Sequence, residues 1–230
     1  ASFQKPGTGV WSIDRMSAAD VDGLDPATLT EAQSSSDGST LHVKDPLVFE
    51  EPAGGTALLF CSHPFSWASS NTGLAVRAAR GGSFELQTHC MIERGPAWDV
   101  ACTRVTDRLQ VPRVGRFASL PPLSLYFYDG AECLRSLDDN PAAARRPRGF
   151  SCEELGGLAW GWDSEFPGIQ RLSVDFPLFV SLHGTGCSRY VSTLAIGGGI
   201  MASWQQSQPD RSQPLVGNFV RSGTVAELLG

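Results

Sequence analysis

Apolar residues in this chain come in short runs, never in long ones. "DPLVFEE", "TALLFCSH", "TGLAVRAA" and "SFELQTHCMI" follow one another between Asp45 and Ile92, cut apart by Gly, Pro, Asn, Asp and Ser. Runs of this length between turn formers read as strands, and Glu50, Glu51, Pro52, Gly54 and Gly55 join the first two as an antiparallel hairpin. A second group opens at "WDVACTRVT", continues with "LSLYFYDG" and, after an interruption over 136–154, resumes with "GLAWGWD" and "IQRLSVDFPLFVS". A third holds "GTGCSRYVSTL", "GIMASWQQSQ" and "QPLVGNFV". Ahead of Asp45, "GVWSID" and "ATLTEAQSS" read as the closing strands of an earlier group. Four strands in about 40–50 residues is the rhythm of a propeller blade. Asp45 and Asp99, 54 residues apart, each precede the first strand of a group. The expected fold is therefore all-β, a β-propeller in one domain over 1–230 with an inserted loop at about 136–154. Helical periodicity is confined to "TVAELLG" and "SAADVDGL".

Composition narrows the function classes. Hydrophobic residues make up 41% and charged residues 18%, the balance of a folded globular chain. The net charge is −6, and "ARRPRG" is too short and too Pro-interrupted to serve as a nucleic-acid stripe. No window approaches the ~18 apolar residues of a membrane-spanning helix. The start, "ASFQKPGTGVW", has no charged-then-apolar signal pattern and begins with Ala, as a mature product or a fragment would, which leaves the compartment open. Six cysteines occur without a CxxC pair, and His42, His63, His89 and His183 show neither HxH nor HExxH spacing, so no zinc site and no cofactor is expected. A calcium held by Asp oxygens has no Asp-rich loop behind it. No GxSxG elbow is present, and Cys187 in "GTGCSRY" lacks the strand-to-helix context of a nucleophile.

"KDPLVF…GGTALLFCSH", "AWDVACTRV", "YDGAECL" and "RYVSTLAIGGGIMASWQQSQPDRSQPLV" together resemble the β-propeller glycoside hydrolases, the arabinanases and xylosidases (family 43) with the related fructan hydrolases (family 32). The "KDP" is similar to the "RDP" of the fructan enzymes and the "AEC" to their "EC" element. The resemblance implies a five-bladed propeller of which this chain supplies about three and a half blades, with one catalytic aspartate expected on a blade outside it. It also implies a carbohydrate substrate and inversion at the anomeric carbon.

Glycoside hydrolysis takes two carboxyl groups in different protonation states, one giving a proton to the leaving oxygen and the other activating water or attacking carbon. By the resemblance, one of Asp45 and Asp99 is the base or the pKa-tuning aspartate, and Glu132 is the candidate acid, with Asp129 as its alternative. The bland readings stand beside these. An Asp before a strand commonly caps a turn, and "YDG" makes a good turn by itself. Sugars stack on flat aromatic faces, which brings in Trp98 beside Asp99 and, less specifically, Trp67, Trp160, Trp162 and Trp204. His183, in a Gly-rich connection before a strand, and Arg189 just beyond it could bind sugar hydroxyls or a sugar carboxylate. A lectin-like binding protein and a protein-interaction propeller remain the rival classes.

Overall fold

Short apolar runs become antiparallel strands throughout the computed structural model, which describes residues 1–4, 6–7, 10–35, 43–52, 54–63, 69–78, 82–132, 135–136, 150–151, 154–184, 186–210 and 212–230. The chain divides into two units, Ala1–Glu93 and Arg94–Gly230. In the first, β1 (Ser2–Gln4), β2 (Trp11–Arg15) and β3 (Thr30–Gln33) form one sheet. Next come β4 (Val43–Glu50), β5 (Thr56–Ser62), β6 (Asn71–Arg77) and β7 (Glu85–Ile92), a second sheet ordered as they follow in the chain. These four are the four runs that the sequence sets out between Asp45 and Ile92. Their core draws on both sheets: Ile13, Ala32, Val43, Leu58, Phe60 and Ala75, with Phe84 packed against it. Fully burying a side chain such as Leu58 or Phe60 contributes roughly 2 kcal/mol.

The second unit repeats the plan with interruptions. Its strands are β8 (Cys102–Gln110), β9 (Leu123–Ala131), β10 (Arg135–Ser136), β11 (Phe150–Ser151), β12 (Glu154–Trp162) and β13 (Gln170–Arg171). They arrange as a four-stranded sheet in the order β13-β12-β9-β8 and a ribbon of β10 with β11. The interruption expected over 136–154 therefore has paired flanks, although 137–149 and 152–153 lie outside the described residues. Then β14 (Ser188–Ile196), β15 (Gly199–Gln206) and β16 (Leu215–Arg221) make a three-stranded sheet, and α1 (Ser222–Leu229) closes the chain. Strand β14 lies against β8, β9 and β12. Asp107 of β8 joins the two sheets, since the Thr193 amide donates to its Oδ2 at 2.6 Å and the Thr193 hydroxyl donates to the same oxygen.

The helix expected in "TVAELLG" is present as α1, but the one expected in "SAADVDGL" is not. There the Asp20 carboxylate accepts the Gly23 amide at 2.8 Å and the segment bends. Short acidic side chains offer backbone amides a local partner that competes with helix formation.

One irregularity recurs. β4, β8 and β14 are each the first strand of their sheet and each lies at its edge. Each also carries an extra residue opposite its neighbour, between Lys44 and Leu47, between Val105 and Asp107, and between Arg189 and Ser192. Bulges of this kind re-aim a side chain at a sheet edge and are over-represented beside functional sites.

Candidate functional site

The bulge in β4 falls on Asp45-Pro46, and it gives Asp45 a φ of 54°. A non-Gly residue in the left-handed region costs of order 1 kcal/mol and persists only where its surroundings enforce it. Pro46 adds a further restriction, because the residue before a proline is driven away from the right-handed helical region. Asp45 is half-buried. The only other non-Gly residue with positive φ among those described is Tyr190, at 55° and likewise in the bulge of a first strand, β14.

Asp99 lies immediately ahead of β8 and is fully buried. Its Oδ2 accepts from the Tyr128 hydroxyl at 3.2 Å and from Arg171 Nε at 3.1 Å, while its buried Oδ1 has no partner among the described residues. Burial pushes the Asp99 carboxyl above the usual carboxylate range, against the pull of the Arg171 guanidinium and the Tyr128 hydrogen bond. Two glycines make the space for this arrangement. A Cβ on Gly95 would collide with the Asp99 carboxylate, and one on Gly130 would collide with the Trp98 ring. Trp98 is only 5% exposed, stacks on Tyr128 with ring centroids 5.6 Å apart, and donates from Nε1 to the Ser173 carbonyl at 3.0 Å. The expectation that Trp98 offers an open face to a sugar is thereby corrected: its indole is committed to the interior. Trp160, Trp162 and Trp204 are half-buried, and Trp67 lies outside the described residues.

Asp129 belongs to a second buried cluster. It sits directly across from Arg104 in the β8–β9 register and accepts from Arg104 Nη2 at 2.7 Å and Nε at 3.3 Å. The Tyr190 amide, freed by the bulge in β14, donates to both carboxylate oxygens at 3.0 and 3.1 Å. Glu154 bridges two arginines, Arg104 at 2.8 Å and Arg189 through its other oxygen. The Arg104 guanidinium also lies 4.2 Å from the centre of the Tyr190 ring. Two guanidiniums thus face two carboxylates, the pairing that buried charge requires. Burial pushes Asp129 up to about 6, Arg104 pulling the other way and Glu154 adding to the rise. The acid role weighed for Asp129 meets a carboxylate already held by an arginine and a backbone amide.

Glu132 is exposed, just past the end of β9. His183 is exposed on a turn whose amide donates to Ser181 Oγ at 3.1 Å. Arg189, expected as a sugar-carboxylate ligand, is half-buried and engaged with Glu154 and, from Nε at 3.0 Å, with Gln205. Among the described residues no three His, Cys, Asp or Glu side chains are placed to hold a metal, and no helix is long and apolar enough to cross a membrane.

Sequence reasoning missed Arg104, Glu154, Tyr190 and Arg171. A signal for the first was present: Cys102-Thr103-Arg104 recurs as Cys187-Ser188-Arg189, and both arginines reach the same carboxylate. Both cysteines and both hydroxyl residues are buried, so the tripeptide repeats in packing as well as in letters. Comparison with protein-family models, with curated proteins and with solved structures finds no match to this chain.

Proposed function

We propose that the sheets are blades of a β-propeller and that the protein is a glycoside hydrolase, cleaving glycosidic bonds in oligo- or polysaccharides by acid–base catalysis. The observation that carries the reading is the backbone of Asp45. A carboxylate is held in a left-handed conformation, at a bulge, on the edge strand that opens a sheet. The recurrence of that bulge in β8 and β14 supports the blade interpretation, because a repeated unit repeats its irregularities.

The three acids then divide by access. Asp45 is half-buried and open enough to meet a substrate, and it takes the role of base; Glu132, exposed past the end of β9, is the proton donor by the resemblance alone. Asp99 is sealed from solvent and acts as a positioning residue, holding Tyr128 and Arg171. A purely lectin-like reading is the weaker one, since the aromatic face best placed for it, that of Trp98, is buried.

The test is turnover of a panel of aryl glycosides and oligosaccharides by the full chain, beside Asp45→Asn and Glu132→Gln. Activity that falls by two orders of magnitude or more in each variant, with unchanged thermal unfolding, supports the assignment. Activity untouched by Asp45→Asn overturns it. Sugar binding without turnover on any substrate favours the lectin class.

A further inference from the structure

Within the N-terminal unit, two arginines line a cavity with no acidic residue among its walls. Arg15 ends β2 and Arg77 ends β6. Together with Ser17, Thr28 and Thr30 they border an open cleft of about 640 Å³. No described side chain pairs with the Arg15 guanidinium. The Arg77 guanidinium lies 5.4 Å from the centre of the Phe84 ring and donates to the Thr56 hydroxyl at 3.1 Å, leaving its buried Nε without a partner among the described residues. Neither arginine forms a salt bridge among the described residues, in contrast to Arg104, Arg108, Arg171 and Arg189. Two guanidiniums that line one cleft with no acidic residue among its walls repel each other, and a bound anion removes that cost.

A second cavity of about 330 Å³ adjoins the first and shares Arg15, Met16, Ser17 and Arg77 with it. Its other walls are mainly apolar, among them Leu24, Leu29, Val48 and Phe84, with Asp14 the one acidic side chain. Leu24 and Leu29 are each 41% exposed there, apolar surface that a ligand would cover. Both volumes fall in the range of small-molecule sites, roughly 300–1,000 Å³. A polar cleft with paired cations opening onto an apolar one matches a ligand of the same build.

We infer that this double cavity binds a small amphiphilic anion, its carboxylate or phosphate head between Arg15 and Arg77 and its apolar body against Leu24, Leu29 and Phe84. Two N–H forks can grip an oxyanion through charge-assisted hydrogen bonds, with the hydroxyl of Thr30 at the rim as a further donor; that of Thr28 is already given to the Asp25 carbonyl at 2.7 Å. The inference goes beyond the glycosidase reading and uses none of its acids.

The experiment is calorimetric titration of the full chain with benzoate and phenyl phosphate, beside benzamide as a neutral counterpart and inorganic phosphate as a head without a body. The expected result is binding of at least one aryl anion, tenfold or more tighter than benzamide and than inorganic phosphate. Arg15→Gln should weaken that binding at least tenfold while thermal unfolding stays unchanged, because no described side chain depends on Arg15. Leu24→Glu, which places a negative charge on the apolar wall, should weaken it likewise. Preference between benzoate and phenyl phosphate separates a carboxylate ligand from a phosphate ester. Equal binding of benzamide, undiminished binding by Arg15→Gln, or no binding of either anion overturns the inference. Glycoside turnover is not the readout, so the outcome is independent of the catalytic assignment.

Discussion

The two four-stranded sheets of this chain share a layout and differ in what fills them. Both place the first strand at an edge, both bulge that strand, and both pair neighbours antiparallel. In the N-terminal sheet, the run Ala57 to Cys61 of β5 is almost wholly buried, and β6 meets it with Leu74 and Ala75. In the C-terminal sheet Val105, Tyr126, Tyr128 and Ala159 are buried together with the polar and charged Thr103, Arg104, Asp107, Ser124 and Asp129. The lower end of that sheet has its own knot, where Asp163 accepts Ser124 Oγ and Gln110 Nε2, each at 2.7 Å, and pairs with Arg108 at 3.0 Å. Burial alone would push the Asp163 carboxyl up, yet those hydrogen bonds outweigh it and hold it below the usual range. One layout thus accepts two solutions. An apolar interior gains stability from area and shape, with no preferred partner. A polar one gains little net energy but fixes which strand lies beside which, since every displaced carboxylate would be left unpaired.

If that contrast is real, the largest single loss of stability comes from the apolar side. Phe60 is 1% exposed and lies opposite Gly73, where a Cβ would overlap its ring. Phe60→Ala should cost about 4 kcal/mol in urea denaturation, from lost transfer energy and from a cavity that the two sheets of its unit cannot close. A cost under about 1 kcal/mol would mean that the site collapses readily and that the contrast with the polar sheet is one of composition only.

Asp129 probes the other side. Asp129→Ala leaves Arg104 buried with Glu154 as its remaining carboxylate and should cost about 3 kcal/mol at pH 7. Combining Asp129→Leu with Arg104→Met should recover part of that loss, because Glu154 and Arg189 still neutralise each other. The pH dependence sharpens the point. With Asp129 pushed up to about 6, the folded state holds its proton more tightly than the unfolded chain does. Stability from that group is fully present below about pH 4, where the unfolded carboxyl is also protonated, and is lost as pH rises through about 6. Asp129→Asn, an amide that cannot ionise, should flatten the stability profile over that window. An unchanged slope would place the titration elsewhere.

How much of this could be read in advance follows the same division. The runs that became β4 to β7 were legible because β structure writes itself into short apolar segments between turn formers, and those signals are local. For Asp45 the Asp-Pro pair marked a restricted backbone, but the residue lies inside β4 and not ahead of it, and its left-handed φ was not legible. The Arg104–Asp129–Glu154–Arg189 cluster was hidden, because it depends on register. Arg104 faces Asp129 only by virtue of the β8–β9 pairing, Glu154 arrives after an interruption, and Arg189 comes from another sheet. Asp99 shows the intermediate case. Its place before a strand was visible, but the glycines that seal it, Gly95 and Gly130, act through space rather than through sequence.

The smallest effect tests whether Asp99 belongs with the polar solution at all. The Tyr128 hydroxyl has one proton to share between Asp99 Oδ2 and the Ser173 carbonyl. Arg171 remains on Asp99 when that hydroxyl is gone. Tyr128→Phe should therefore cost only about 1 kcal/mol, the worth of one buried hydrogen bond with its acceptors partly served. It should also raise the Asp99 carboxyl further, since a hydrogen bond that favours the charged form is lost. Carboxyl titration by NMR in the variant reads that shift directly. A large loss of stability with an unmoved carboxyl would assign the Tyr128 hydroxyl to Ser173 instead, and would make Asp99 a guest of Arg171 alone.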